Sequence, residues 1–200
     1  MDSVLAVRDG RTQAVLALQG KPMNAWTSSA ARVQQHAPFQ ALAQALGLDT
    51  ATPDANTPWP TLRHQRLVLL LDPDADGIHI GALLVLYLQR WLPRLISDGQ
   101  LCMVRAPMFE LVCELSGEVQ HADNPWQCQA ISARLASAAG GRRPRVLTHR
   151  GLGSITPQVL RERCVDPATR QAHTVQAAEV AAVVDVFGKG LRSAETGRTQ

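Results

Sequence analysis

Aromatic side chains are scarce in this chain of 200 residues: four tryptophans, three phenylalanines and one tyrosine. Apolar residues still make up 46% of it, so any core it builds has to be aliphatic. Tyr87, the lone tyrosine, falls on an apolar helical stripe, where core packing is the expected role. Cys-x-x-Cys spacing is also missing. Cys102, Cys113, Cys128 and Cys164 stand far apart, which argues against a zinc knuckle and a disulfide scaffold and points to reduced thiols in a cytoplasmic protein. The apolar runs are too short or too interrupted by charge to span a bilayer, and the first residues carry no secretory pattern. A soluble intracellular protein with no membrane partner is therefore expected.

Strong charge of one sign is absent as well. Twenty basic against seventeen acidic residues leave a formal +3, which permits a polyanionic partner without requiring one. The basic residues cluster densely in one place, at Arg142, Arg143, Arg145 and Arg150. These four fit a phosphate-binding patch or an ordinary solvated loop.

What is present is concentrated in Leu67–Ile80. A buried-type strand, Leu67-Val68-Leu69-Leu70-Leu71, runs into Asp72-Pro73-Asp74-Ala75-Asp76-Gly77 and then a helical pattern. If the strand continues, side-chain alternation puts Asp72, Asp74 and Asp76 on one face at its carboxyl end, where α/β sheets hold ligands. Three like charges so placed repel one another, and a hard cation such as Mg²⁺, or Mn²⁺, relieves the conflict. The alternative is a polar turn capping the next helix. His79, in that helix's first turn, could reach a phosphate or the carboxylates, or bond locally.

Length allows one core, or one core with an appendage. Residues 13–18 read as a short strand, followed by a loop over 19–24. Phe39, Leu42, Ala43 and Leu46 predict a helix stopped by Gly47, and 49–60 reads as an exposed connector. Ile80, Leu83, Leu84, Tyr87, Trp91 and Leu95 predict a long helix with a break near Pro93, and Leu101–Val104 a second strand, giving a βαβ unit with a right-handed crossover. Phe109–Cys113 and Glu118–Gln120 predict a hairpin turning at Ser116-Gly117, and Trp126–Ala139 a helix. Residues 140–144 read as a basic connector, and 157–187 as a mostly helical tail.

These blocks together resemble the B subunit of bacterial type II DNA topoisomerases (gyrase B and topoisomerase IV B), in its TOPRIM domain and the segment after it. Gln13–Asn24 is similar to the family's Q-A-I-L-P-L-R-G-K-I-L-N block, and Asp72–Ile80 to its D-A-D-V-D-G-x-H-I block. Arg105–Phe109 stands where the family has Q-P-P-L-Y, His149–Gly153 where it has R-Y-K-G-L-G, and Asp166–Arg170 resembles its D-P-x-x-R pattern. The resemblance implies an α/β TOPRIM fold, a Rossmann-like parallel sheet flanked by helices, over residues 1–121, with a mostly helical segment over 122–200. It implies Mg²⁺ on Asp72 and Asp74 with Asp76 in support, and double-stranded DNA contacted by Lys21 and Asn24 as well as by His79 and the four arginines. It also implies a partner A-type subunit that supplies the attacking tyrosine.

The departures are as specific. The family's opening Glu-Gly-Asp-Ser-Ala faces Met1-Asp2-Ser3-Val4, leaving the acid-base glutamate without a counterpart, and its His-Ile-Arg has become His79-Ile80-Gly81. No catalytic residue and no ATP site is therefore expected within these 200 residues. Three readings follow: a B-type topoisomerase protein inactive by itself, a non-catalytic module that docks on an A-type subunit or on gyrase and modulates it, or a fragment of a longer B subunit.

Overall fold

The computed structural model describes residues 2–54, 58–59 and 61–188; Met1 and part of the predicted 49–60 connector lie outside them. Helix α1 (Asp2–Val7) comes first, then α2 (Ala30–Gln34), whose N-cap Ser29 accepts a bond from the Arg32 N–H. Helix α3 (Ala37–Leu46) ends as predicted at Gly47. That residue takes φ +86°, where a side chain would be strained, and the Leu48 N–H closes the last turn onto Ala43 O. Strand β1 (Leu67–Leu71), α4 (Ala75–Trp91), α5 (Arg94–Ser97) and β2 (Leu101–Arg105) follow, and Pro93 separates the two helices as expected. Strands β3 (Phe109–Val112) and β4 (Val119–Ala122) form the predicted antiparallel hairpin, with Leu111 opposite Gln120. Helix α6 (Pro125–Ala138) is capped by Asn124, β5 is Arg145–Thr148, and Leu152–Ser154 is a single 3₁₀ turn. Helix α7 (Pro157–Leu160) continues into a π-helical turn, and β6 (Ala172–Thr174) and α8 (Ala177–Phe187) complete the described chain.

The protein is α/β, with sheet orders β1-β2-β6 and β4-β3-β5 among the described residues. The bonds bracketing β1 and β2, Leu67 N–H to Gln100 O and Ala106 N–H to Leu71 O, advance along both strands in the same direction, the sense of a parallel pair. One expectation is corrected. Residues 13–18 form no strand: among the described residues no strand pairs with them, and Leu16 is 40% exposed. The basic connector over 140–144 lies between α6 and β5 as expected, and β5, a strand not read from the sequence, begins directly after it at Arg145 and pairs with β3, Leu111 opposite Val146. The tail over 157–187 is mostly helical as expected and also holds β6, whose three residues are all exposed and carry too little apolar pattern to be read as a strand.

The chain divides into two compact units, one of Met1–Gln13, Leu70–Ile78 and Val104–Ala172, the other of Ala14–Leu69, His79–Met103 and His173–Gln200. In the first, Leu111, Cys113, Ala122 and Leu135 form a small core under the β3–β4 hairpin and α6. The Gln13 amide donates to Val165 O, tying the chain's start to the π-helical turn. In the second, Phe39 and Tyr87 stack nearly parallel with ring centroids 4.1 Å apart. Arg90 donates through Nη1 to the carbonyls of Ala25, Trp26 and Ser28, which holds the irregular segment after the 19–24 loop against α4. All four cysteines are free, and burial pushes the Cys164 thiol up to about 11. Among the described residues no helix is long and apolar enough to cross a membrane.

Candidate functional site

The acidic run sits where β1 stops. Leu71 is the last strand residue, Pro73 removes a backbone donor, and α4 begins at Ala75. Asp74 is consequently the N-cap of α4: its Oδ1 accepts the Gly77 N–H at 2.8 Å, and its carbonyl accepts the Ile78 N–H at 3.2 Å. Asp76 already lies in the first helical turn. The expectation that all three carboxylates share one strand face is thus corrected, since two residues apart on a helix do not face one another. The cap and the strand end are both present, and the two readings of this run describe the same turn.

Asp72 holds the most constrained position. Its Oδ1 accepts the Leu152 N–H at 2.8 Å, the first amide of the 3₁₀ turn. Two glycines permit the arrangement. A Cβ on Gly77 would fall 2.2 Å from the Asp72 carbonyl oxygen, and one on Gly151 would fall 3.3 Å from Asp72 Oδ1. Asp72, Asp74 and Asp76 are all exposed, and the second oxygen of Asp72 and of Asp74 stands outside these bonds. Among the described residues no three His, Cys, Asp or Glu side chains gather into a metal cage.

Of the candidate DNA contacts, Lys21, Asn24 and His79 are brought together within the second unit. The Lys21 Nζ donates to His79 Nδ1 at 3.2 Å; because an ammonium can only donate, Nδ1 is the acceptor in this contact. The His79 ring also stacks on Phe187, centroids 5.4 Å apart, and the Asn24 amide donates to Phe187 O at 3.2 Å. Asn24 Oδ1 accepts the Trp26 N–H, so both ends of that side chain are engaged in ordering the loop. Arg142, Arg143, Arg145 and Arg150 are all exposed, Arg145 on the sheet-edge strand β5 beside exposed Val146 and Leu147. Arg143 lines a shallow groove with Cys128, Ala133 and Val146. Tyr87 is fully buried, its hydroxyl donating to Ala51 O at 2.8 Å and its phenol pushed up by burial, which is the packing role rather than the nucleophilic one.

Three participants were not singled out from the sequence. Leu152 acts through its backbone, which composition does not encode. Phe187 looked like an ordinary apolar helix residue. His149 is 7% exposed, and its signal was its place just before Arg150-Gly151-Leu152-Gly153.

Most of the chain aligns with known proteins. Over 169 residues, 84% of this chain and 26% of the relative, the chain is 36% identical to the B subunit of DNA topoisomerase 4 from Haemophilus influenzae. The chain is homologous to one segment of the type II topoisomerase B subunit. This B-subunit homology extends to the topoisomerase 4 counterpart from Pseudomonas aeruginosa, 30% identical over the same shares, and to the B subunit of DNA gyrase from Metamycoplasma hominis, 32% identical over 90% of this chain and 26% of the relative. The chain spans about a quarter of the length of these curated relatives. No protein-family profile matches it.

Proposed function

We propose that this chain is a TOPRIM-type segment of the topoisomerase B class, residues 1–121 with a following segment over 122–200, which binds Mg²⁺ and duplex DNA and works with an A-type subunit. The observation that carries the reading is the Asp72-Pro73-Asp74 turn: a carboxylate fixed at the end of β1 by Leu152 and a second one capping α4, inside a chain 36% identical to a topoisomerase 4 relative of the B type. The donor set fits the cation. Mg²⁺ uses one or two carboxylates and completes its shell with water and phosphate oxygens, so a three-residue protein cage is not needed. Asp72 and Asp74 would hold it through their second oxygens, with Asp76 in support. Bound there, the ion would supply positive charge to a phosphate whose ester bond is being exchanged.

The chain's own residues would do the rest. Leu152 and Gly77 orient the two carboxylates, Lys21 with His79 meets a phosphate electrostatically, and the arginines of 142–150 attract the duplex without reading its sequence. The buried, hydrogen-bonded Tyr87 does not attack DNA, so the nucleophile comes from the partner, and this chain by itself neither cleaves DNA nor turns over ATP. Water-proton relaxation with Mn²⁺ tests the centre of the proposal: wild type binds and Asp72→Asn binds at least tenfold more weakly. Equal, negligible binding by both would leave the aspartates as a helix-capping turn, and the docking-module reading would then take precedence.

A further inference from the structure

We propose that His149 is a positioning residue for the Asp72 carboxylate, acting through the turn Gly151–Ser154. His149 directly follows β5 and is anchored by its backbone N–H, which donates to Met108 O at 2.8 Å. Its ring is held in the core at 7% exposure, with Nδ1 3.1 Å from Ser154 O. A carbonyl oxygen only accepts, so Nδ1 carries the proton in this contact. Ser154 in turn donates to Gly151 O twice, from its N–H at 3.0 Å and from Oγ at 2.7 Å, and the Ile155 N–H donates to Leu152 O at 3.3 Å. The turn so closed aims the Leu152 N–H at Asp72 Oδ1, 2.8 Å away. The imidazole is thus joined to the carboxylate through one hydrogen-bonded turn, which limits how far the carboxylate can rotate.

The other ring nitrogen strengthens the assignment. Nε2 of His149 is buried with no hydrogen-bond partner among the described residues. An unsatisfied buried polar atom is costly, and a leucine or phenylalanine would fill the space without that cost. The imidazole is therefore used for what Nδ1 does.

The metal arm of this inference rests on the reading of Asp72 as a ligand; the positioning arm does not. The test uses the full chain labelled with ¹⁵N, with amide hydrogen exchange at Leu152 as the readout and the core amide of Leu111 as reference. Two variants separate donor from packing: His149→Leu removes the donor, whereas His149→Asn places an amide N–H close to where Nδ1 stands. In His149→Leu, Leu152 should exchange about tenfold faster with Leu111 unchanged, and Mn²⁺ binding should weaken, while His149→Asn should keep wild-type behaviour in both. The expected exchange pattern in a protein that binds no Mn²⁺ at all would uphold the positioning role and remove the metal reading. Unchanged Leu152 exchange in His149→Leu, or parallel acceleration of Leu152 and Leu111 in both variants, would overturn it, the ring then serving only to pack.

Discussion

Replacing Gly77 by alanine sets two effects of known sign against each other. In the interior of a helix, Gly→Ala ordinarily stabilises by about 1 kcal/mol. Here the added Cβ would lie 2.2 Å from Asp72 O, 2.9 Å from its carbonyl carbon and 3.0 Å from its nitrogen. Ordinary contact begins near 3.4 Å, so the Asp72 peptide has to retreat by about 1 Å. Backbone cannot swing aside as a flexible side chain does. Overpacking of this kind costs roughly 1–3 kcal/mol, and a 1 Å shift also breaks the 2.8 Å bond between Leu152 N–H and Asp72 Oδ1, a charge-assisted bond worth about 1.5–3 kcal/mol. Subtracting the helix gain leaves a net loss of roughly 1.5–5 kcal/mol. Urea denaturation followed by circular dichroism should show a lower midpoint, and the Leu152 amide should lose protection in the native state. A Gly77→Ala protein as stable as wild type, or more stable, would refute the argument that contact with the Asp72 backbone requires glycine here.

Tyr87→Phe keeps the stack on Phe39 but strands the buried Ala51 carbonyl, so it should lower stability by about 1–2 kcal/mol in the same denaturation assay while leaving DNA binding unchanged. Burial holds the proton affinity of His121 below the usual imidazole value, helped by Arg163 and opposed by Glu110, whose Oε2 lies 3.5 Å from His121 Nε2 without hydrogen-bond geometry; burial lowers His36 likewise. The unfolded chain then takes up more protons, so this stability is complete above the ordinary value near 6.5 and is lost as pH falls below it. Urea midpoints should drop between about pH 7.5 and about pH 5.5, and less so in His121→Gln. For the basic loop, replacing Arg142, Arg143 and Arg145 together by alanine should flatten the dependence of duplex affinity on log salt by up to about 2.7, at roughly 0.9 per lost phosphate contact. Fluorescence anisotropy at several salt concentrations reads the slope, and an unchanged slope would move the contact surface to Lys21 and His79.

Much of the fold could be read from local pattern because local physics decides it. β1 is a five-residue aliphatic run, α3 carries its own left-handed glycine stop, and the β3–β4 hairpin turns on Gly117 at φ +73°. The misses share a cause. Residues 13–18 have the composition of a strand but no partner strand among the described residues, β5 and β6 have exposed residues and exist because a partner pairs with them, and neither condition is visible in a window of neighbours. The candidate site divides in the same way. Asp72 and Asp74 announced themselves by residue type and spacing, although Asp74 belongs to a helix cap rather than to a strand face. Leu152, a backbone donor eighty residues away, had no side-chain chemistry to notice.

That separation has a temporal side. The Asp72 carboxylate and the Leu152 amide are 80 positions apart, and the unit containing both is drawn from three stretches of the chain. At about 5–20 residues per second, a ribosome makes the donor some 4–16 s after the acceptor. During that interval the acidic turn exists with its own cap and without its latch. A chain stopped at residue 121 would stay in that condition permanently, with all three aspartates and nothing to hold the first of them still.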